Sequence, residues 1–184
     1  MVKKVVLLSI LMAAFVFSGC GNPFESLAND LEGSSGTGDT TASSEDKVAN
    51  VSLSFTDNQD NVPEPAVGDG FTASHGEYQI LVGQMMSFSA YKGTPEAQEF
   101  PQFSGLVFHP EIRSGLVITI AENDDSGTSI FYAYDDETSW YAVSGELEIV
   151  TTRPLNIEFR DVLMKPLGNS IGEFTINGPG TWQR

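Results

Sequence analysis

From Val48 onward the apolar residues recur every second position, and this period of two constrains the fold more than any other feature. The run Leu155-Asn-Ile157-Glu-Phe159-Arg160 puts three apolar side chains on one face and three polar ones on the other. Successive side chains of a strand point to opposite sides of a sheet, so such a segment is a strand with one buried face. The same alternation runs through Val51, Leu53 and Phe55, through Tyr78, Ile80 and Val82, and through Leu116, Ile118 and Ile120. Tyr141, Val143, Leu147 and Ile149 share a further face, with Glu146 and Glu148 opposite, and the span 171–176 gives a last short strand.

Turn residues separate these runs. Asp57-Asn-Gln-Asp-Asn61, Lys92-Gly-Thr-Pro95, Asn123-Asp-Asp-Ser-Gly127, Asp135-Asp-Glu137 and Lys165-Pro-Leu-Gly-Asn169 supply Asp, Asn, Gly and Pro, the residues that initiate turns or tolerate unusual backbone angles. Short alternating strands at this spacing, with no long helix, predict an all-β domain over 48–184. The expected form is an antiparallel β-sandwich, with a small up-and-down barrel as the alternative. A membrane-spanning barrel also alternates, but a water-facing domain already accounts for the polar faces. The aromatic-x-Ala segments Phe88-Ser-Ala-Tyr91, Phe131-Tyr-Ala-Tyr134 and Trp140-Tyr-Ala-Val143 share a pattern, but their spacing is irregular. The β-propensity of aromatics explains them without a repeat.

The core of this domain has no covalent staple. The chain of 184 residues holds one cysteine, Cys20, so no intrachain disulfide can form. Twelve Phe, five Tyr and two Trp instead supply the large apolar areas that a core needs.

Cys20 ends a different kind of segment. Lys3 and Lys4 precede an apolar run from Val5 to Phe17, followed by Ser18-Gly19-Cys20. The run is shorter than the roughly 20 residues that cross a bilayer and has the layout of a secretory signal, with a basic start and small residues before the cut. Phe17-Ser18-Gly19-Cys20 resembles the lipobox of bacterial lipoproteins, with Phe17 where leucine is commonest. The resemblance implies that residues 1–19 are a type II signal peptide, removed when Cys20 receives a diacylglycerol on sulfur and an acyl chain on its new amine. It further implies a protein of the bacterial cell envelope, anchored in the membrane by lipid. Gly21 follows the cysteine instead of the Asp that retains such proteins at the inner membrane, so the outer membrane is the expected location.

Residues 20–47 then form the expected lipidated tether. Gly33-Ser-Ser-Gly-Thr-Gly-Asp-Thr-Thr-Ala-Ser-Ser44 is too polar to offset the entropy of ordering, and flexible-coil scaling gives the stretch a reach of roughly 25–30 Å. Phe24, Leu27 and Leu31 share one face of a short helical pattern near its start.

Charge narrows the partners. The chain has 9 Lys and Arg against 25 Asp and Glu, a net charge of −16; loss of Lys3 and Lys4 with the leader makes it about −18. Such a polyanion lacks the basic patch that displaces counterions from nucleic acid. It is also repelled by anionic headgroups, which leaves anchoring to the lipid on Cys20 and not to surface charge.

Catalytic signals are few. His75 and His109 are the only histidines, and no Gly-x-Ser-x-Gly elbow, zinc-ligand spacing or phosphate-cradling glycine loop accompanies them. Many carboxylate pairs arise by chance in an acidic chain, so glycoside hydrolysis is not indicated. The acid-rich turns are the remaining chemistry: Asp124 and Asp125, and Asp135 and Asp136, offer the hard oxygen ligands that calcium prefers. None matches the calcium loop spacing, and Asp in turns has a structural role of its own. The two turns flank one strand and so belong at its opposite ends.

Tyr91, Tyr132, Tyr134, Trp140 and Trp182 are candidates for a stacking face or, more simply, for the core. Gly178-Pro-Gly-Thr-Trp182, near the terminus, is superficially similar to the Gly-x-Trp of lipocalins, but that family has the motif on its first strand, so the resemblance fails on position. The reading that follows is a non-catalytic, lipid-anchored β-domain that binds a protein or glycan and needs no cofactor. A carrier of an apolar ligand or lipid is the alternative, and a hydrolase with an unrecognised site the third.

Overall fold

A computed structural model describes residues 48–57, 68–122 and 127–183. Cys20, the leader 1–19, the tether 20–47 and its short helical pattern lie outside these residues, as do Asp124 and Asp125 and most of the turn beginning at Asp57. The described chain is nine antiparallel strands: β1 (Val48–Asp57), β2 (Gly70–Leu81), β3 (Met85–Thr94), β4 (Ala97–Phe108), β5 (Leu116–Ala121), β6 (Ser129–Ala133), β7 (Thr138–Thr152), β8 (Leu155–Gly168) and β9 (Phe174–Trp182).

Eight of them close on themselves. Following the hydrogen bonds gives β7-β6-β4-β3-β2-β1-β9-β8, and β8 returns to β7. The decisive pairing joins the two ends of the domain, from Ala49↔Trp182 to Asp57↔Phe174. The expected sandwich therefore gives way to its alternative, a barrel. Both architectures alternate in the same way along each strand, and what separates them is a pairing between residues more than a hundred positions apart.

β5 stands outside the ring. It pairs with the last part of β7, Leu116↔Ile149 to Ala121↔Ser144, on the same edge that β6 takes further up at Phe131↔Tyr141. β7 is 15 residues long, so it overhangs β6 and leaves that edge for β5. Bulges bend the β7–β8 pair where the wall must curve. At Gly145 (φ +115°) a Cβ would lie 2.6 Å from the Asp161 carbonyl oxygen, so the close crossing there requires glycine.

Strand limits differ from the sequence reading in three places. Val82, read as a strand position, is the tip of the β2–β3 turn. The turn expected at Lys165–Asn169 is strand to Gly168. The last strand starts at Phe174, and Ile171 is exposed in the connection before it.

The inward face is apolar and continuous. Rings touch in a column from one end to the other: Trp182 meets Phe88 at 5.1 Å between centroids, Phe88 meets Phe103 at 6.0 Å and Phe103 meets Phe159 at 5.1 Å. Phe71 links Phe103 to Tyr132, which leads on to Trp140 and Phe174. Both buried indoles are satisfied: Trp182 Nε1 donates to the Ser89 carbonyl at 2.7 Å and Trp140 Nε1 to the Gly172 carbonyl at 3.1 Å. The outward positions of the same strands are Ser52, Ser54, Thr72, Ser74, Glu146, Glu158 and Arg160, exposed or half-buried.

Candidate functional site

An eight-stranded barrel is just wide enough for side chains to fill it or for one small ligand. Here the rings take the space. Trp140, Trp182, Tyr132, Phe71, Phe103, Phe159 and Phe174 are all buried to 1% exposure or less. Gly105 shows how tight the filling is, since a Cβ there would sit 2.2 Å from Phe88 Cζ on the facing strand.

Both ends are covered. Ile112, from the β4–β5 connection, is buried against the core at one end, where its N–H and that of His109 donate to the carbonyls of Gly83 and Gln84. At the other end Ser170 is buried in the β8–β9 connection, and its Oγ accepts the Ser139 N–H at 2.7 Å.

The aromatic candidates divide accordingly. Tyr132, Trp140 and Trp182 belong to the core, and Tyr134 packs against it. Tyr91 is buried on the outer side of β3, stacked on His75 with centroids 6.5 Å apart and planes 17° from parallel. Its hydroxyl lacks a hydrogen-bond partner of normal geometry. Burial, with the nearby Glu77 and Glu96 carboxylates, pushes the Tyr91 hydroxyl up to about 12, partly offset by the Gln98 side chain. Burial drives Tyr132 upward as well, further than Tyr91.

The two histidines sit apart. His75 lies on β2 with Nδ1 3.2 Å from Ser74 Oγ, six residues and so roughly 20 Å along the strand from the turn that holds His109. His109 Nδ1 accepts the Glu111 N–H at 3.1 Å.

Of the acidic candidates, Asp135 and Asp136 occupy the β6–β7 turn. Asp135 Oδ1 accepts the N–H of Glu137 at 2.9 Å and of Thr138 at 2.7 Å. A hydrogen bond from the Thr138 side chain, followed by those from the Glu137 and Thr138 N–H groups, holds its carboxyl below the usual range, the arrangement of an Asp that builds its own turn. Glu122, which directly follows β5, pairs with Lys165 of β8 at 3.3 Å. Among the described residues no three His, Cys, Asp or Glu side chains converge as metal ligands.

The concavity that the sequence did not signal lies on the outer wall. An open trough of about 600 Å³ follows β1 between β2 and β9, edged by Ser52, Ser54, Asp69, Thr72, Asn177 and Pro179. It is bare because Gly70 and Gly178 flank β1, where a Cβ would lie 2.2 Å from the Leu53 carbonyl and 2.4 Å from that of Ser52. Ser54 Oγ donates to the Asn177 carbonyl at 3.1 Å, and Lys92 Nζ to Thr72 Oγ1 at 3.2 Å. Its edges thus present hydroxyls, an amide and a carboxylate, with no aromatic platform.

No protein-family model matches the chain, and searches of curated proteins and of solved structures found nothing similar.

Proposed function

We propose that this chain is an exported lipoprotein, held to the cell envelope by lipid on Cys20, whose barrel binds a protein or glycan through its exterior. The observation that carries the binding half is the filled interior: the column of rings from Trp182 to Trp140 occupies the space where a carrier of this shape would hold its ligand. The polar trough along β1 is the contact surface we favour, because its hydroxyl and amide groups suit a hydrogen-bonding partner. The leader layout and the lipobox resemblance at Phe17–Cys20 support the anchoring half.

Two measurements test the halves separately. Cys20→Ser is expected to leave the precursor uncut and to remove the protein from the detergent-extracted membrane fraction; normal processing and retention of that variant would end the lipoprotein reading. Titration of the chain from residue 20 with a fluorescent fatty acid is expected to show no saturable signal. One-to-one binding, displaced by unlabelled fatty acid, would establish the carrier in its place.

A further inference from the structure

The trough along β1 has unlike ends. At one end Phe55 N–H donates to the Asp69 carbonyl at 3.0 Å, which fixes this exposed acid at the lip. On the facing lip Asn177 Oδ1 accepts the Asp161 N–H at 2.8 Å, so a second exposed acid stands directly behind it. Glu158 lies opposite Pro179 on the same side. The cation beside them, Arg160, is held by Glu148. Among the described residues Asp69, Glu158 and Asp161 make no ion pair.

The other end of the β2 lip is cationic. Three residues from Asp69, roughly 10 Å along the strand, Lys92 Nζ donates to Thr72 Oγ1 at 3.2 Å and lies 5.9 Å from the centre of the Phe71 ring. The wider field follows the Asp69 end. Asp69 belongs to the end of the barrel where the β3–β4, β6–β7 and β8–β9 connections bring Glu96, Asp135, Asp136, Glu137 and Glu173, and none of the described residues in those connections is Lys or Arg. Carboxylates gathered in this way attract a cation before it makes contact.

The floor between the two ends is main chain and small hydroxyls. Gly70 and Gly178 leave it bare, and Ser52 and Ser54 face outward from it. Ser54 gives its proton to the Asn177 carbonyl, so its oxygen is left as an acceptor.

We propose that the trough takes an arginine or lysine side chain from an extended segment of a partner protein. Its cationic head meets Asp69 and the Ser54 oxygen, its apolar stem lies over the glycine main chain, and the carbonyl of the same residue accepts from Lys92. This rests on the reading of the trough as the contact surface and names what that surface selects. A guanidinium or ammonium brings donors alone, which suits the acceptors at the Asp69 end, and a long stem covers bare main chain while its head stays wet. A neutral sugar would find no ring to stack on and would leave the carboxylates without a counter-charge. A second copy of this chain, at a net charge of −16, would be repelled.

The test follows amide NMR shifts of the chain from residue 20. The probes are an N-acetylated, C-amidated peptide of serine and threonine with one central arginine, the same peptide with the neutral isostere citrulline, and maltotetraose. The arginine peptide is expected to shift residues 52–54, 69–72 and 177–178 saturably and to leave 109–115 unmoved. Citrulline should weaken binding by about fivefold, and Asp69→Asn by about two- to fivefold, the range of one exposed ion pair. Asp161→Asn, at a φ of 49° that asparagine tolerates, should weaken it by less. Glu137→Gln, at the same end but off the trough, should change nothing. Equal affinity for arginine and citrulline, or shifts centred on 134–137 in place of the trough, overturns the proposal. So does a trough that responds to maltotetraose and not to the peptide; the exterior then still binds, and its partner is a glycan. Trough shifts that grow with protein concentration alone make a second copy the occupant and overturn it as well. A trough that responds to none of the probes overturns the proposal and the contact surface together, while the processing of Cys20 is untouched by either result.

Discussion

Val82→Asn is expected to make the protein more stable, against the usual direction of a surface substitution. The valine is 92% exposed, so replacing it forfeits almost no burial. Its backbone sits at φ 51°, where an L-residue with a Cβ carries about 1–2 kcal/mol relative to the ordinary helical region. Branching at Cβ places valine at the costly end, whereas asparagine visits this region readily and is the preferred partner of the glycine that follows. Gly83 and the bond from Gln84 N–H to the Leu81 carbonyl are unchanged by the substitution. The net gain is about 1 kcal/mol, which for a domain of this size raises Tm by about 3–4 °C. Urea unfolding measures it directly: the midpoint should rise with no change in slope, the mark of an altered stability and not an altered unfolded state. A midpoint that stays or falls would refute the claim that Val82 is strained in the native turn.

Phe159 touches Phe88 and Phe103 at the middle of the ring column, so Phe159→Ala should cost about 3–5 kcal/mol. If the variant stays folded, it should take up a small apolar dye that the unmutated barrel excludes; equal uptake by both would show that the interior was open from the start. Alkaline titration is a separate check. The folded pKa of Tyr91, about 12, exceeds its ordinary value of 10, so the stabilising contribution is complete below pH 10 and is lost as pH rises from there through the folded pKa. Tyr132, raised in the same direction, adds to the loss, and Tyr132→Phe together with Tyr91→Phe should flatten the fall in denaturant midpoint above pH 10. A wild-type midpoint that does not fall there would contradict the burial of both phenols. Tyr91→Phe by itself should lie within about 1 kcal/mol of wild type at neutral pH, since the hydroxyl it removes has no well-formed bond to lose.

The limits of the sequence reading follow from particular residues. Alternation assigns Val51, Leu53, Ile157 and Phe159 to a buried face because strand geometry fixes where each side chain points. It fails at Val82, where the apolar alternation simply continues into a turn. The dipeptide Val-Gly carries no turn signal of the Asn-Gly kind, and only the cross-strand pairing Leu81↔Met85 marks the reversal. Lys165-Pro-Leu-Gly reads as a turn but lies in strand because β7 opposite it is long enough to pair through Thr138↔Gly168. The trough on β1 left no trace in the sequence, since it arises where Gly70 and Gly178, more than a hundred residues apart, flank the same strand.

Local patterns thus determined what depends on neighbours in the chain: antiparallel strands, the apolar and polar face of each, and the Asp135 turn, whose bonds reach only to residues 137 and 138. The tertiary structure decided everything that depends on distant pairing. Closure of the barrel came from β1 meeting β9, and exclusion of β5 came from the length of β7. Composition gives one net charge, and only folding gathers Asp69, Glu96, Asp135, Asp136, Glu137 and Glu173 into the connections at one end of the barrel.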